Sequence, residues 1–198
     1  GDVLALASSP SFGQNSFIKG MSNRQWQQLV SDPRKPLVNK AIQAEYPPGS
    51  VYKIVTAMAG LQEKLVRPDE TIYCPGYYKY GDRISRCWKE AGHGRLCMIE
   101  ALSQSCDVYF YDLGIRAGVE RLAWYAKACG LGRTTGIDLV AEADGLVPSE
   151  KWKLRRLGEP WYGGETLSVA IGQGYNLVTP IQMAVLTAAV ANGGMIKK

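Results

Sequence analysis

The fold is decided by the stretch Tyr46-Pro47-Pro48-Gly49-Ser50-Val51-Tyr52-Lys53, which turns sharply and then enters a helix. The prolines and glycine favour a turn, and they place Ser50 at or near the first helical turn. Apolar residues then recur at helical spacing through Ile54, Val55 and Met58, and the pattern ends near Lys64. The stretch therefore predicts a tight turn that brings a serine to the start of a helix with one apolar face.

A serine three residues before a lysine can form a catalytic pair. Positions i and i+3 share a helix face, so the amine of Lys53 can approach the hydroxyl of Ser50. A serine hydroxyl becomes a nucleophile when a neighbouring base takes its proton, and lysine can be that base. The same spacing recurs at residues 16–19, in a polar stretch that ends at Gly20. The alternative for either pair is a helix-capping serine beside a surface lysine.

A second polar motif follows at Ser105-Cys106-Asp107, just after a short predicted helix. Taken alone, this triplet is typical of a helix cap. Placed beside Ser50 and Lys53, its hydroxyl could shuttle protons and its carboxylate could hold the substrate.

The two motifs together resemble the first two active-site motifs of the penicillin-recognising serine transpeptidases. That family uses Ser-x-x-Lys, Ser-x-Asn or Ser-x-Asp, and Lys-Thr-Gly or Lys-Ser-Gly. Further stretches narrow the resemblance to the penicillin-binding protein 2 group, the class B transpeptidases of the elongation machinery. These stretches are Pro36-Leu37-Val38-Asn39-Lys40-Ala41, Gly92-His93-Gly94-Arg95-Leu96, Thr135-Gly136-Ile137-Asp138-Leu139, Pro160-Trp161-Tyr162, Ile171-Gly172-Gln173-Gly174-Tyr175 and Thr179-Pro180-Ile181-Gln182-Met183.

The resemblance implies a role for each residue of the two motifs. Ser50 would be the acylated nucleophile and Lys53 its general base. Ser105 would relay protons to the leaving group, and Asp107 would help to hold the relay and the peptide. The substrate would be a peptidoglycan stem peptide ending in D-Ala-D-Ala, from which Ser50 displaces the terminal D-Ala. An amine of a neighbouring stem peptide would then resolve the acyl-enzyme, and β-lactams would acylate the same serine.

The resemblance also implies a fold, a location and partners. The fold would be α+β, of the serine β-lactamase and penicillin-binding-protein transpeptidase type, with helices packed around an antiparallel sheet. The location would be the periplasmic face of the bacterial inner membrane, reached through an N-terminal anchoring helix that this chain lacks. The partners would be a SEDS-family glycosyltransferase and other proteins of the elongation complex.

The third family motif is missing, since neither Lys-Thr-Gly nor Lys-Ser-Gly occurs in the chain. Residues 133–136 read Arg-Thr-Thr-Gly and come too early to replace it. In the family the motif lies on a sheet strand, here expected beyond Lys198. We therefore expect residues 1–198 to be a partial transpeptidase domain with an incomplete sheet and an exposed strand edge. We also expect that this chain alone acylates slowly or not at all.

Cysteine and histidine are concentrated in an irregular excursion at residues 66–106. The cysteines are at positions 74, 87, 97, 106 and 129, and His93 is the sole histidine. Zinc prefers thiolate and imidazole ligands, and four donors complete a tetrahedral structural site. We predict zinc at Cys74, Cys87, His93 and Cys106, a choice that the resemblance supports because some relatives bind zinc at matching positions.

The alternative for these cysteines is a disulfide, because thiols outside the cytoplasmic membrane tend to oxidise. Cys97 is a spare that could replace one of the predicted ligands. Cys129 follows an apolar run and is predicted to be a thiol buried in the core.

The composition argues against a disordered, a collagen-like and a coiled-coil protein. The 198 residues carry a net charge of +5, with 46% hydrophobic and 21% charged residues, which is typical of a globular protein. No stretch is long and apolar enough to span a bilayer. The densest basic cluster, formed by Lys151, Lys153, Arg155 and Arg156, is predicted to be a solvated loop rim, with docking to a membrane surface or an acidic partner as the alternative. A nucleic-acid site is disfavoured because the basic residues of the chain do not interleave with aromatic residues on one clear element.

Two rival functions remain open at this point. One is a β-lactamase or D,D-carboxypeptidase on the same fold, which needs a base for a deacylating water; Glu150, Glu159 and Glu165 cannot be placed from sequence. The other is a non-catalytic, zinc-stabilised binding module, which the missing third motif favours.

Local patterns predict the remaining elements. Residues 3–8 are expected to form a strand and residues 131–165 a loop-rich region. Helices are expected at residues 21–30, 98–102, 109–118 and 119–129, and from Thr179-Pro180 to about Asn192.

Overall fold

The computed structural model describes residues 2–196, which form an α+β fold as expected. The helices are α1 (Asn15–Ile18), α2 (Asn23–Ser31), α3 (Lys53–Gln62), α4 (Met98–Ser103), α5 (Asp107–Ala117), α6 (Val119–Ala128), α7 (Glu150–Leu157), α8 (Gly163–Ala170) and α9 (Pro180–Ala191). A 3-10 turn at Gly49–Tyr52 leads directly into α3. The strands are β1 (Ile72–Cys74), β2 (Tyr77–Tyr80), β3 (Arg83–Arg86) and β4 (Gly94–Leu96).

Helix α5 is the centre of the structure, and it packs against both α3 and α8. Phe110 and Leu113 of α5 are fully buried. The helices approach closely because α3 presents Gly60 to Leu113, where an added Cβ would lie only 2.6 Å from a leucine methyl carbon. This close packing holds the N-termini of α3 and α5, which carry the two sequence motifs, at a fixed separation.

The strands form two separate antiparallel pairs within the excursion at residues 66–106. Strand β1 pairs with β4, and β2 pairs with β3 in a hairpin that has Tyr77 opposite Arg86. Residues 3–8 pair with no strand among residues 2–196. The predicted strand at residues 3–8 is therefore wrong for the described chain, because a strand requires a hydrogen-bonded neighbour.

The predicted loop region at residues 131–165 contains one complete helix, α7, and the start of another, α8. Ser149 caps α7 by accepting a hydrogen bond from the Trp152 amide, and Gly158 ends it in the left-handed conformation. The predicted basic loop rim is therefore wrong. Its residues lie on α7, and Lys153 is buried with 1% of its surface exposed.

The other predicted helices are present, with ends shifted by a few residues. Helix α9 begins as the Thr179-Pro180 pair predicts, because the Thr179 side chain and Gln182 form a reciprocal cap. The side-chain amide of Gln182 also donates to the carbonyl oxygens of Arg133 and Asp144, at 2.7 and 2.8 Å. These two hydrogen bonds hold the loop between α6 and α7 against α9. No helix within residues 2–196 has the length and apolar character needed to span a membrane.

Candidate active site

Ser50 lies in the 3-10 turn before α3, with its side chain exposed to solvent. Gly49 enters this turn with a φ of +59°, a conformation that favours glycine. The Gly49 amide donates to the carbonyl oxygen of Gly172 at 2.9 Å. Gly172 itself has a φ of +74°, and a Cβ there would meet the Gly49 backbone and the Tyr52 Cβ at 2.6 Å. Two glycine backbones in contact therefore fix the position of the exposed serine.

The four side chains of the two motifs form one hydrogen-bonded chain. Ser105 Oγ donates to Ser50 Oγ at 2.8 Å. The Lys53 ammonium donates to Ser105 Oγ at 3.0 Å and to Asp107 Oδ1 at 2.6 Å. The sequence predicts that Lys53 approaches Ser50 directly, whereas the structure places the Ser105 hydroxyl between them. A proton can therefore pass between Ser50 and Lys53 through Ser105.

The Lys53 ammonium is buried, and Asp107 is its charged partner. Lys53 has 1% of its side chain exposed and Asp107 has 14%. The ammonium also donates to the Ser105 carbonyl at 2.8 Å and lies 5.7 Å from the centre of the Phe110 ring. An unpaired buried charge would be strongly destabilising, so these contacts are what keep a lysine in the protein interior.

The backbone of Ser105 is held in an unusual conformation. Its φ is +51°, a region that non-glycine residues rarely adopt and that is associated with strained functional sites. This conformation places the Ser105 hydroxyl and carbonyl together on the Lys53 ammonium.

Trp88 supports this arrangement, although no sequence motif identified it. Its amide donates to Asp107 Oδ2 at 3.0 Å, so both carboxylate oxygens of Asp107 are occupied. Its indole N–H donates to the carbonyl oxygens of Gln104 and Ser105, each at 3.1 Å. Only its position directly after Cys87 could have indicated a role from the sequence.

An open cleft of about 580 Å³ lies over Ser50. The predicted residues Ser50, Ser105 and Asp107 line it, whereas Lys53 lies beneath. Cys87, predicted as a metal ligand, also lines the cleft. The other lining residues were not predicted as site residues, and they are Arg86, Trp88, Tyr111, Ile171 and Gln173. The cleft is large enough for a peptide segment, and Asp107 is the only carboxylate in its described lining.

The four predicted metal ligands come together beside this cleft. The ligand atoms of Cys74, Cys87, His93 and Cys106 all lie within 4.8 Å of one another. His93 Nδ1 is 3.6 Å from the sulfur of Cys74 and 3.5 Å from that of Cys87. Cys106 stands between Ser105 and Asp107 in the chain, so the cluster and the polar chain share one segment.

The donor set fits a zinc ion. Zinc holds sulfur and nitrogen donors at about 2.0–2.3 Å, so the four atoms need to contract only slightly around an ion. Burial lowers the pKa of His93, which keeps the imidazole neutral, as a metal ligand must be. Burial also raises the pKa of the Cys106 thiol to about 12, so a thiolate there requires a cation beside it.

The remaining cysteines lie outside the cluster. Cys97 is half-buried at the N-terminus of α4, where Glu100 accepts a hydrogen bond from its amide at 2.8 Å. Cys129 is half-buried at the C-terminal end of α6 and packs against the core. Neither shares the pocket of the four predicted ligands.

The other sequence candidates are placed away from the cleft. The first Ser-x-x-Lys pair lies at the exposed helix α1. In the Arg-Thr-Thr-Gly stretch, Thr135 and Gly136 donate to the Glu142 carboxylate. The carboxylates of Glu159 and Glu165 pair with the ammonium of the buried Lys153, at 3.4 and 2.7 Å between nitrogen and oxygen.

Comparison with known proteins gives consistent matches over the whole chain. The family model "Penicillin binding protein transpeptidase domain" matches residues 1–198. "Peptidoglycan D,D-transpeptidase MrdA" of Escherichia coli K12 is 40% identical over 199 residues, covering 100% of this chain and 31% of that protein. The chain thus spans about a third of the length of this curated relative.

Two solved structures are similar. Pseudomonas aeruginosa PBP2 in complex with WCK 5153 has a TM-score of 0.93 and 41% identity, covering 98% of this chain and 43% of that one. The PBP2 chain of the Helicobacter pylori complex between PBP2 and MreC has a TM-score of 0.91 and 38% identity, covering 94% and 35% respectively.

Proposed function

Because the chain belongs to the penicillin-binding protein transpeptidase family, we propose that it carries the acylation site of a peptidoglycan D,D-transpeptidase with Ser50 as nucleophile. The observation that carries this proposal is the hydrogen-bonded chain from Ser50 through Ser105 to Lys53 and Asp107, at the floor of an open cleft. The activity is proposed for the intact protein, because its curated relatives are about three times longer than this chain.

In the proposed acylation, Ser50 Oγ attacks the carbonyl carbon of the penultimate D-Ala. Lys53 first releases one ammonium proton to solvent. The Ser50 proton then passes to Ser105 Oγ, while the Ser105 proton passes to the Lys53 amine. The carbon–nitrogen bond then breaks, and the departing D-Ala amine receives a proton back through Ser105. Asp107 stabilises Lys53 whenever the lysine carries the extra proton, at 2.6 Å.

In the second half of the proposed reaction, an amine of a neighbouring stem peptide attacks the ester formed on Ser50. The amine gives up a proton as the new amide forms, and the same relay returns a proton to Ser50 Oγ. A β-lactam would follow only the first half, because opening its ring leaves no departing amine and gives a lasting adduct.

The position of the glutamates favours a transpeptidase over a β-lactamase. A β-lactamase needs a carboxylate or other base to activate a deacylating water in the cleft. Glu159 and Glu165 instead pair with Lys153, and neither they nor Glu150 belong to the described lining of the cleft.

The proposal is tested by labelling the intact protein with a fluorescent penicillin. The two Ser-x-x-Lys pairs provide a matched control, since Ser16→Ala and Ser50→Ala remove the same hydroxyl from equivalent motifs. We expect S50A to abolish the covalent adduct and S16A to leave it unchanged, with both variants retaining the thermal midpoint within about 2 °C, as surface substitutions usually do. Labelling of S50A, mapped by mass spectrometry to another residue, would reject Ser50 as the nucleophile.

We also propose that Cys74, Cys87, His93 and Cys106 hold a structural zinc ion. Bound there, zinc would stabilise three buried thiolates and fix the segment that carries Ser105 and Asp107. Native and denatured masses of the same sample separate this proposal from a disulfide. A zinc-sized excess that is lost on denaturation supports it, whereas a zinc-free mass lacking the hydrogens of a disulfide contradicts it.

We propose that the intact protein acts at the periplasmic face of the bacterial inner membrane, in the elongation complex. The support is its similarity to MrdA and to the PBP2 chain of the complex with MreC. The proposed partners are a SEDS-family glycosyltransferase and other elongation proteins, and co-purification from membranes tests them. Recovery of the intact protein without any such partner would contradict this assignment.

A further inference from the structure

Two arginines of the β2–β3 hairpin have different surroundings. Arg83 is engaged, because its guanidinium donates to the Gly164 carbonyl at 3.0 Å and to Ser168 Oγ at 3.3 Å. These contacts dock the hairpin on helix α8. Arg86, at the end of β3, instead lines the cleft over Ser50, and no carboxylate among residues 2–196 pairs with it.

The backbone of Arg86 is fixed at the edge of the cleft. It lies opposite Tyr77 in the β-ladder, and its carbonyl oxygen accepts a hydrogen bond from the Tyr111 hydroxyl at 3.2 Å. The next amide, that of Cys87, donates to the Gly76 carbonyl at 2.8 Å. Arg86 therefore lines the cleft from an anchored backbone rather than from a free loop.

The charge of Arg86 is not balanced inside the cleft. Asp107 is the only acidic residue of the described lining, and its two oxygens already accept from the Lys53 ammonium and the Trp88 amide. Arginine presents a planar fork of N–H donors that matches the two oxygens of a carboxylate. An unpaired guanidinium in a cleft of peptide size is suited to an anionic group on the bound peptide.

We propose that Arg86 binds a carboxylate of the peptide that occupies the cleft. This inference rests on the proposed function, because it assumes that a peptide is presented to Ser50. The carboxylate could be an acidic side chain of the donor or the carboxylate next to the bond that reacts, and the experiment separates these two sources.

The experiment compares Arg86→Gln with Arg95→Gln in the intact protein. Arg95 is an exposed arginine on strand β4, outside the cleft lining, so R95Q removes the same charge from an equivalent type of site. The substrates are two D-Ala-D-Ala peptides that differ only in a free or amidated side-chain carboxylate, and a fluorescent penicillin. The measurements are kcat/KM for D-Ala release and the second-order rate constant of penicillin acylation.

We expect R86Q to lower kcat/KM about tenfold, as is typical when a hydrogen bond to a charged group is lost. A loss confined to the peptide with the free side-chain carboxylate assigns Arg86 to that group. An equal loss for both peptides and for penicillin, largely restored in Arg86→Lys, assigns it to the carboxylate beside the reacting bond. R95Q should leave all three rates unchanged.

The proposal is overturned if R86Q matches wild type on every substrate, or if R95Q shows the same losses. These outcomes leave the proposed function standing as long as penicillin still acylates Ser50. If the intact wild-type protein reacts with neither peptide nor penicillin, the proposed function fails, and the role of Arg86 fails with it.

Discussion

Replacing Gly172 by alanine tests whether the contact between Gly172 and Gly49 holds the nucleophile in place. The change has two costs. A non-glycine residue in the left-handed conformation costs about 1–2 kcal/mol. The new Cβ would also collide with the Gly49 backbone and lie 2.6 Å from the Tyr52 Cβ, and such overpacking typically costs about 1–3 kcal/mol. We therefore expect G172A to lose roughly 2–5 kcal/mol of stability, the sum of these two terms.

Gly130 provides the matched control for this substitution. It follows α6 with a φ of +87°, and an added Cβ there would meet nothing within 4 Å. Gly130→Ala should therefore pay the backbone cost alone. The difference in unfolding free energy between G172A and G130A, measured by urea denaturation of the intact protein, isolates the collision.

The substitution should also slow the reaction of Ser50. Relief of the collision moves the Gly172 segment against the turn that carries Ser50, and a displacement of about 1 Å can reduce a reaction rate by about a hundredfold. We expect this loss in the penicillin acylation rate of G172A and little loss in G130A. If G172A acylates like wild type and is no less stable than G130A, the contact does not position Ser50 and the reasoning is refuted.

Three further predictions concern the buried polar groups. Lys53→Met should reduce penicillin acylation by about 10²–10⁴-fold, because the relay loses its base, as stopped-flow labelling can measure. Removing metal with a chelator should lower the thermal midpoint of the intact protein, since zinc that binds only the folded state adds about 2.7 kcal/mol at 100 times its Kd. Glu165→Gln should destabilise the protein at neutral pH but not in acid. Burial alone would raise the pKa of Glu165, but hydrogen bonds from Lys153 and the Tyr162 amide outweigh it and hold the pKa below the ordinary 4.5. The stabilisation is therefore complete above about pH 4.5 and is lost as the pH falls through the lowered pKa, so thermal midpoints of E165Q and wild type should converge there.

Each of these predictions has its own control. Lys19→Met changes the equivalent lysine of the exposed first motif, and a similar loss of acylation there would contradict the role of Lys53. Cys129→Ser lies outside the thiol cluster and should keep the chelator response, whereas Cys106→Ser should lose it. A midpoint gap between wild type and E165Q that stays constant from pH 7 to pH 3 would exclude the proposed linkage.

The sequence predicted that the side chains of the Ser-x-x-Lys and Ser-x-Asp motifs lie together. Each motif is short, and the family resemblance indicates that the two motifs form one site although they are distant in the chain. Ser50, Lys53, Ser105 and Asp107 lie together as expected, and their chemical roles stay predictions. The order of contacts was not predictable. It depends on the left-handed φ of Ser105, which brings that hydroxyl between Ser50 and Lys53 and has no signature in residue type.

Helix α7 was missed although it carries two local signals, the capping Ser149 and the terminal Gly158. Other features were missed because their cause lies in distant contacts, such as the burial of Lys153, which depends on Glu165 of α8. Trp88 and Arg86 belong to an excursion whose path is set by two small antiparallel pairs rather than by any local pattern. Tertiary contacts decide such positions, so local propensity cannot find them.

The closeness of the three thiols gives the conditions during folding a direct influence on the state of the cluster. Once Cys74, Cys87 and Cys106 have been folded to within 4.8 Å of one another, a metal ion and an oxidant compete for the same sulfur atoms. Cys106 lies between Ser105 and Asp107, so under the zinc proposal a metal-bound and an oxidised form would hold residues 105–107 differently. The supply of metal during folding would then set the ratio of two forms with one sequence and different reactivity.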